Sequence, residues 1–232
     1  HEGEHGVFAP PLPPPRMKIK ADWTEHLHRF RSRELQQIFS RCPPKGFPRA
    51  LELGAGDGCQ GRLLRRFVGH LVSTDFYPPL SPQEWGEGWE WKVCDAEEVG
   101  GTFGAGEFDL IYSSNLLEHL PNPVRALAGM HRVLKEDGIA VHVVPNRLWK
   151  LLQFVLHYPN LFIRLVERLT GKADGAEPCR NDNPKLKGDT PGMLRRRLWP
   201  LPHGAFRTHG EEWRSLSREH WRREFLRAGW NL

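Results

Sequence analysis

The chain has 232 residues, 39% of them hydrophobic, and carries 33 Lys and Arg against 28 Asp and Glu for a net charge of +5. That is enough apolar material for one well-buried domain and too little for two, and no run approaches the roughly 18 continuous apolar residues of a membrane span. The four cysteines, Cys42, Cys59, Cys94 and Cys179, form no CxxC pair, which argues against a zinc ribbon or a disulfide framework and for a reduced, cytoplasmic protein.

In chain order, residues 1–16 (HEGEHGVFAPPLPPPR) are rich in proline and poor in core-forming residues, so they are expected to form a disordered tail. Nothing in the first thirty residues has the charged-then-apolar layout of a secretory signal. From Asp22 to Arg41 the apolar positions Trp23, Leu27, Phe30, Leu35, Ile38 and Phe39 recur at near-helical spacing, predicting an amphipathic helix packed on the main domain. Five β-rich runs then alternate with helical patterns: residues 50–54, 70–76, 90–96, 108–114 and 138–145. Such alternation predicts an α/β fold, a Rossmann-like, mostly parallel sheet with helices on both faces, formed within residues 17–146. In these sheets ligands bind beyond the carboxyl ends of the strands.

The first run leaves its strand as ELGAGDG, with glycines at 54, 56 and 58. A glycine-rich turn between a buried strand and a helix lets a cofactor lie against the main chain, where a Cβ would collide with it. The pattern is not the GxGxxG of pyrophosphate-binding loops, and the acids Glu52 and Asp57 beside it suit a cationic ligand rather than an anionic one. Asp75 ends the second run, 21 residues after Gly54, where a carboxylate can accept from both hydroxyls of a ribose. Asp95 ends the third and can accept from the exocyclic amine of adenine, with Ala96 beside the ring; an acid before Ala-Glu-Glu can also simply begin a helix. Together these positions call for adenosine bearing a positive charge and no phosphate, a description that S-adenosyl-L-methionine meets.

The segments LELGAGDG, VSTDF, CDAEEV, FDLIYSSNLLEHLPNP and ALAGMHRVLKEDGIAVHVVPN, in that order, resemble the class I S-adenosylmethionine-dependent methyltransferases of the type 11 group, which includes quinone-biosynthesis-like enzymes. The likeness spans roughly residues 48–146. It implies that Glu52, Gly54, Ala55, Gly56 and Gly58 border the methionine part of the cofactor. Asp75, followed by Phe76, would hold the ribose; Asp95, Ala96 and Glu97 would border the adenine; Ser113 and Asn115 would lie near the sulfonium. No metal ligand set is implied. The sulfonium is already activated, so the protein has chiefly to align the reacting groups and exclude water, and a base is needed only where the acceptor must lose a proton. His119, His142, His203 and His209 are the candidate bases, with His119 and His203 carried forward as catalytic candidates.

After Asn146 the composition changes: residues 147–232 hold 17 Lys and Arg against 9 Asp and Glu. Residues 147–171 read as two helical pieces broken near Pro159, apolar over much more than one face. A lid over the pocket is the favoured reading of this basic cap, with its aromatics Trp149, Phe154, Tyr158 and Phe162 buried against the sheet. An interfacial helix on anionic lipid, framed by Lys150, Arg164 and Arg168, and a dimer surface are the alternatives. The polar segment 173–192 reads as a mobile loop, and Ser217 to Ala228 as a capped helix returning to the core. The chain ends before the two closing strands that the family normally adds, so the expectation is either a fragment or a shortened fold with truncated terminal strands.

Weaker likenesses in HVVPNRLWKLLQ, in HGAF and in SREHWRREFLRAGW to bacterial methyltransferases of cell-surface glycans imply a small-molecule or glycan acceptor, such as a lipid-linked sugar hydroxyl, and a membrane-peripheral location. Quinone and polyketide acceptors, and a noncatalytic S-adenosylmethionine-binding role, are the competing expectations. Nucleic acid is not an expected partner, because the basic residues are interleaved with large aliphatics. The sequence assigns no oligomeric state.

Overall fold

The computed structural model describes residues 23–42, 44–78, 86–169 and 202–232. The expected tail at residues 1–16 and the loop at 173–192 lie outside the described residues.

Five strands form one sheet: β1 (Phe47–Leu53), β2 (Val68–Asp75), β3 (Trp89–Val93), β4 (Phe108–Ser114) and β5 (Leu134–Val143). Their order is β3-β2-β1-β4-β5, and every neighbouring pair is parallel. The expected Rossmann-like α/β sheet is therefore present. Its first strand lies at the centre, flanked by β2 and β4, so the winding reverses beside β1. That reversal opens a crevice at the carboxyl ends of β1 and β4.

Both faces of the sheet are covered, as the largely apolar strands require. Leu51 and Leu53 of β1 and Ile111 of β4 join one core cluster with Leu127 and Met130 of helix α4 (Pro123–Val133). Ala50, Leu110 and Tyr112 join the other, with Leu64 of α2 (Cys59–Leu64), Leu35 from the N-terminal helix and Phe39 just after it. Alternate residues of one strand thus feed opposite layers, following the two-residue period of a strand. A short helix, α3 (Val99–Thr102), lies so close to α4 that a Cβ on Gly100 would come within 2.9 Å of the Gly129 backbone.

The N-terminal helix, α1 (Trp23–Ile38), occurs where the spacing places it, but only part of its apolar face is packed. Leu35 is fully buried, whereas Leu27 and Phe30 are exposed.

The segment after β5 differs from expectation in two respects. It is one continuous helix, α5 (Arg147–Leu169), with Pro159 inside it. Proline removes one hydrogen bond to the carbonyl four residues earlier, that of Val155. Val155 is exposed, so water can satisfy this carbonyl and the helix runs on. The second difference concerns the face it buries. Trp149, Tyr158 and Phe162 are exposed at 38, 48 and 67%, while Lys150 is 1% exposed and ion-paired to Glu212 at 2.7 Å. Three of the four aromatics that the lid reading buries against the sheet are thus exposed, and Lys150, which the lipid reading places at the surface, is buried.

Two helices end the chain. In α6 (His209–Ser215), the Thr208 side chain accepts from the Glu211 amide, and in α7 (Arg218–Arg227), Ser217 accepts from the His220 amide. Ala228 and Gly229 (φ 89°) end α7 close to the expected boundary. The Trp230 indole then donates to the Leu127 carbonyl at 3.0 Å, returning the chain to the core.

Candidate functional site

The crevice beside β1 is built on a backbone that only glycine adopts comfortably. Gly54, Gly56 and Gly58 have φ values of 72, 59 and 74°, the left-handed region that costs other residues energy. A Cβ at Gly54 would meet the Leu116 side chain at 3.1 Å, whereas a Cβ at Gly56 would meet nothing within 4 Å. The spacing of the glycines is therefore set first by conformation, and the space available to a ligand lies over Gly56. Between them, the Ala55 amide donates to the Thr74 carbonyl at 3.0 Å, tying the loop to β2.

Asp75, at the end of β2, accepts from the Gly56 amide through Oδ2 at 2.9 Å and from the Tyr77 amide through Oδ1 at 3.3 Å. A carboxylate has about four lone-pair sites, so sites remain on both oxygens for ribose hydroxyls. Phe76 is exposed beside it, its ring edge-on to Tyr77.

Glu52 is placed differently from a carboxylate lining the open side of the loop. It is 2% exposed, and its carboxyl group accepts from the Ser73 hydroxyl at 2.5 Å, beneath α2. Ser73 in turn accepts from the Trp89 indole at 2.8 Å. Burial pushes the Glu52 pKa up to about 7, against the Ser73 hydrogen bond and with help from Asp57 and Asp75. Near neutrality it is only partly ionised. Gly61 makes this arrangement possible, since a Cβ there would lie 2.7 Å from both Glu52 Oε2 and Trp89. Asp57 bonds the Cys59 amide at 3.0 Å and His28 of α1 at 2.7 Å.

At the end of β3, Asp95 begins a 3-10 turn (Ala96–Glu98) by accepting from the Glu97 amide at 3.0 Å. Ala96 is buried, and Glu97 accepts from the Asn122 amide at 2.9 Å, joining this turn to the start of α4. Ser113, at the end of β4, is buried and shares a 2.8 Å hydrogen bond with Nδ1 of His142. Asn115 follows with φ 52°, and its amide oxygen faces the Arg31 guanidinium once the amide is oriented to satisfy both groups. Arg31 also donates to Ser114 at 3.1 Å. The sequence reading missed this arginine, because a lone basic residue on an amphipathic helix looks like part of a solvated face.

Of the four candidate histidines the structure brings two together. His119 ends the 3-10 turn Leu117–His119 after β4, and His203 precedes Gly204 in the segment leading to α6. Their ring centroids are 4.6 Å apart and edge-on. Burial lowers the pKa of His119, and burial with the charges of His119 and Lys150 lowers that of His203 to about 4, so both imidazoles are neutral at physiological pH. His142 is held at Ser113, and His209 lies 3.5 Å from Glu212 in the cap. Glu118 was also missed, since an acid next to a histidine in a turn reads as solvated; it is buried at 1%.

These residues fit S-adenosylmethionine: open space over a left-handed glycine turn, an acid with spare lone pairs at the end of β2, and a second acid ending β3 beside buried Ala96. A parallel sheet covered on both faces, with its crevice beside the central strand, defines a doubly wound α/β protein. The family described as "Methyltransferase domain" matches residues 25–232. The chain therefore belongs to this family of class I methyltransferases, of the type 11-like group, whose cofactor is S-adenosyl-L-methionine.

Among curated proteins it is similar to the ubiquinone biosynthesis O-methyltransferase of Aromatoleum aromaticum, at 25% identity over 53% of this chain and 54% of that protein. It is similar also to that of Xanthomonas axonopodis pv. citri, at 26% over 48% of each. The chain thus spans about half the length of these relatives. Among solved structures, a SAM-dependent methyltransferase from Archaeoglobus fulgidus matches at TM-score 0.45 and 20% identity, covering 56% of this chain and 67% of that one.

Proposed function

We propose that the chain is an S-adenosylmethionine-dependent O-methyltransferase whose acceptor is a hydroxyl on a small molecule or glycan, with a lipid-linked sugar as the expected class and a quinone-like phenol as the alternative. The observation that carries this reading is the pair of neutral imidazoles, His119 and His203, brought together where the turn after β4 meets the segment leading to α6. When bound, the cofactor supplies a methyl group already activated by its sulfonium. The residues Gly54, Ala55, Gly56 and Gly58 would hold its methionine part, Asp75 its ribose, and Asp95, Ala96, Glu97 and Phe76 its adenine side. Ser113 and Asn115 would border the methyl group, with Arg31 beside them. A hydroxyl acceptor must lose a proton, and His119 is the better base to take it, since a pKa of about 4 makes His203 a weak one. The printed names of the curated relatives, O-methyltransferases of quinone biosynthesis, support a hydroxyl acceptor and give the phenol alternative its weight.

Membrane contact is the second part of the proposal. Among the described residues no helix is long and apolar enough to cross a membrane. The exposed apolar surface of α5, in a segment with an excess of basic residues, supports contact with anionic lipid instead.

The test is calorimetric titration with S-adenosylmethionine. Asp75→Ala removes a charged hydrogen-bond acceptor, worth about 1.5 to 3 kcal/mol per bond. Affinity is expected to fall tenfold or more, with a modest fall in the melting temperature from loss of the Gly56 and Tyr77 contacts. Equal affinity in the variant overturns the assignment of this crevice, and binding without turnover on any hydroxyl acceptor overturns the enzymatic reading.

A further inference from the structure

Apart from its own backbone amide, the Glu118 carboxylate has no hydrogen-bond partner among the described residues, although its side chain is completely buried. Leaving a buried carboxylate unmatched costs several kcal/mol unless something pairs with it or it takes up a proton. Burial does raise its pKa to about 7, against its own backbone hydrogen bond and Arg31. Two imidazoles, which are donors of lone pairs, lie close to one of the carboxylate oxygens. Oε1 lies 3.9 Å from Nε2 of His119 and 4.0 Å from Nε2 of His203. One ligand atom from each of the three residues falls within 4.8 Å of the others.

The fold fixes this meeting by backbone contacts. Gly204 has φ 72°, and a Cβ there would lie 2.2 Å from the Glu118 carbonyl oxygen, so only glycine allows the approach. The same carbonyl accepts from the Ala205 amide at 2.9 Å. His203 is thereby pinned against Glu118, although 85 positions separate them in the chain. The Trp149 ring also packs on the His203 imidazole, at 5.0 Å between ring centroids.

We propose that Glu118, His119 and His203 form a binding site for a divalent cation of the zinc, manganese or cobalt type. Two imidazoles and one carboxylate make a donor set suited to these ions and poorly suited to calcium. Around an ion bonded at about 2.1 Å, ligand atoms stand about 3 to 3.5 Å apart. The observed separations close to that range by small rotations of the two histidines, whose side chains are 29 and 26% exposed. The ion would give the buried carboxylate its missing partner, and three protein ligands leave coordination positions open. A hydroxyl bound there would have its pKa lowered, so with the ion present the metal would take over from the two imidazoles the task of easing deprotonation. This last role rests on the hydroxyl-acceptor reading above; the binding site itself does not.

The experiment is titration of the metal-stripped full chain with Zn²⁺ and, for spectroscopy, Co²⁺, in the absence of cofactor and acceptor. One equivalent is expected to bind, with a visible Co²⁺ absorption typical of nitrogen and oxygen ligands. Glu118→Gln and His203→Ala should each lower affinity at least tenfold while S-adenosylmethionine affinity is retained, which also shows that both variants are folded. Unchanged affinity in these variants, or no stoichiometric binding, overturns the proposal. Loss of binding in His28→Ala instead also overturns it, because it would assign the ion to His28, Asp57 and Cys59 at the glycine loop. The readout is metal binding, so failure here leaves the methyltransfer reading standing, and failure of that reading leaves this one testable.

Discussion

Glu52 illustrates how one residue couples the loop to pH. Its carboxyl group is fully buried, and its pKa is raised from 4.5 to about 7 in the folded state. The folded protein therefore keeps a proton that the unfolded chain releases above pH 4.5. Stability from this group is complete below that pH and is lost as pH rises toward 7, by at most about 3 kcal/mol. Glu52→Gln keeps the Ser73 partner and cannot ionise. Urea unfolding of wild type and variant from pH 4 to 8 should show wild type losing ground to the variant between pH 4.5 and 7, with a constant difference above. A difference that does not change with pH would mean that Glu52 ionises as freely in the folded state as in the unfolded chain.

Among the elements, α5 is joined to the rest of the cap at its first turns. The Lys150 and Glu212 side chains are 1 and 0% exposed and 2.7 Å apart, linking α5 to α6. Removing one partner from a buried pair leaves the other charge uncompensated, at a cost of about 3 to 5 kcal/mol. Lys150→Met should therefore be strongly destabilising, while Lys150→Met combined with Glu212→Leu should recover much of the loss. Thermal unfolding of the two variants checks this. Equal losses in the single and double variants would show that the ion pair contributes no specific coupling.

On the scale of the whole molecule, the notable surface is the outward side of α5. Leu148, Leu151, Leu152, Val155, Leu156 and Phe162 are all at least half exposed, and from 148 to 166 the helix is about 28 Å long. Contiguous apolar surface of this extent marks an interaction site. If lipid covers it, the chain should cosediment with anionic vesicles, less so at high salt. Leu152→Asp with Leu156→Asp should weaken that binding more than tenfold, since burying each leucine is worth about 1.5 to 3 kcal/mol. Cofactor affinity should not change. Absence of cosedimentation in the wild type would remove membrane contact from the proposed function.

The strands, the glycine turn and the acids at the strand ends were legible because each depends on local pattern: apolar runs, a turn demanding positive φ, and an acid at a strand's exit. The N-terminal helix and the Ser217 cap were legible for the same reason. Which surface of α5 faces the protein was not, because a helix apolar over more than one face does not say which side is buried, and a buried lysine depends on a glutamate 62 positions away. The partners of Glu118 were equally hidden. The sequence by itself determined the sheet and the place where a cofactor can lie, whereas only the tertiary structure decided that Glu118, His119 and His203 meet, because that contact depends on one left-handed glycine docking on a carbonyl distant in sequence.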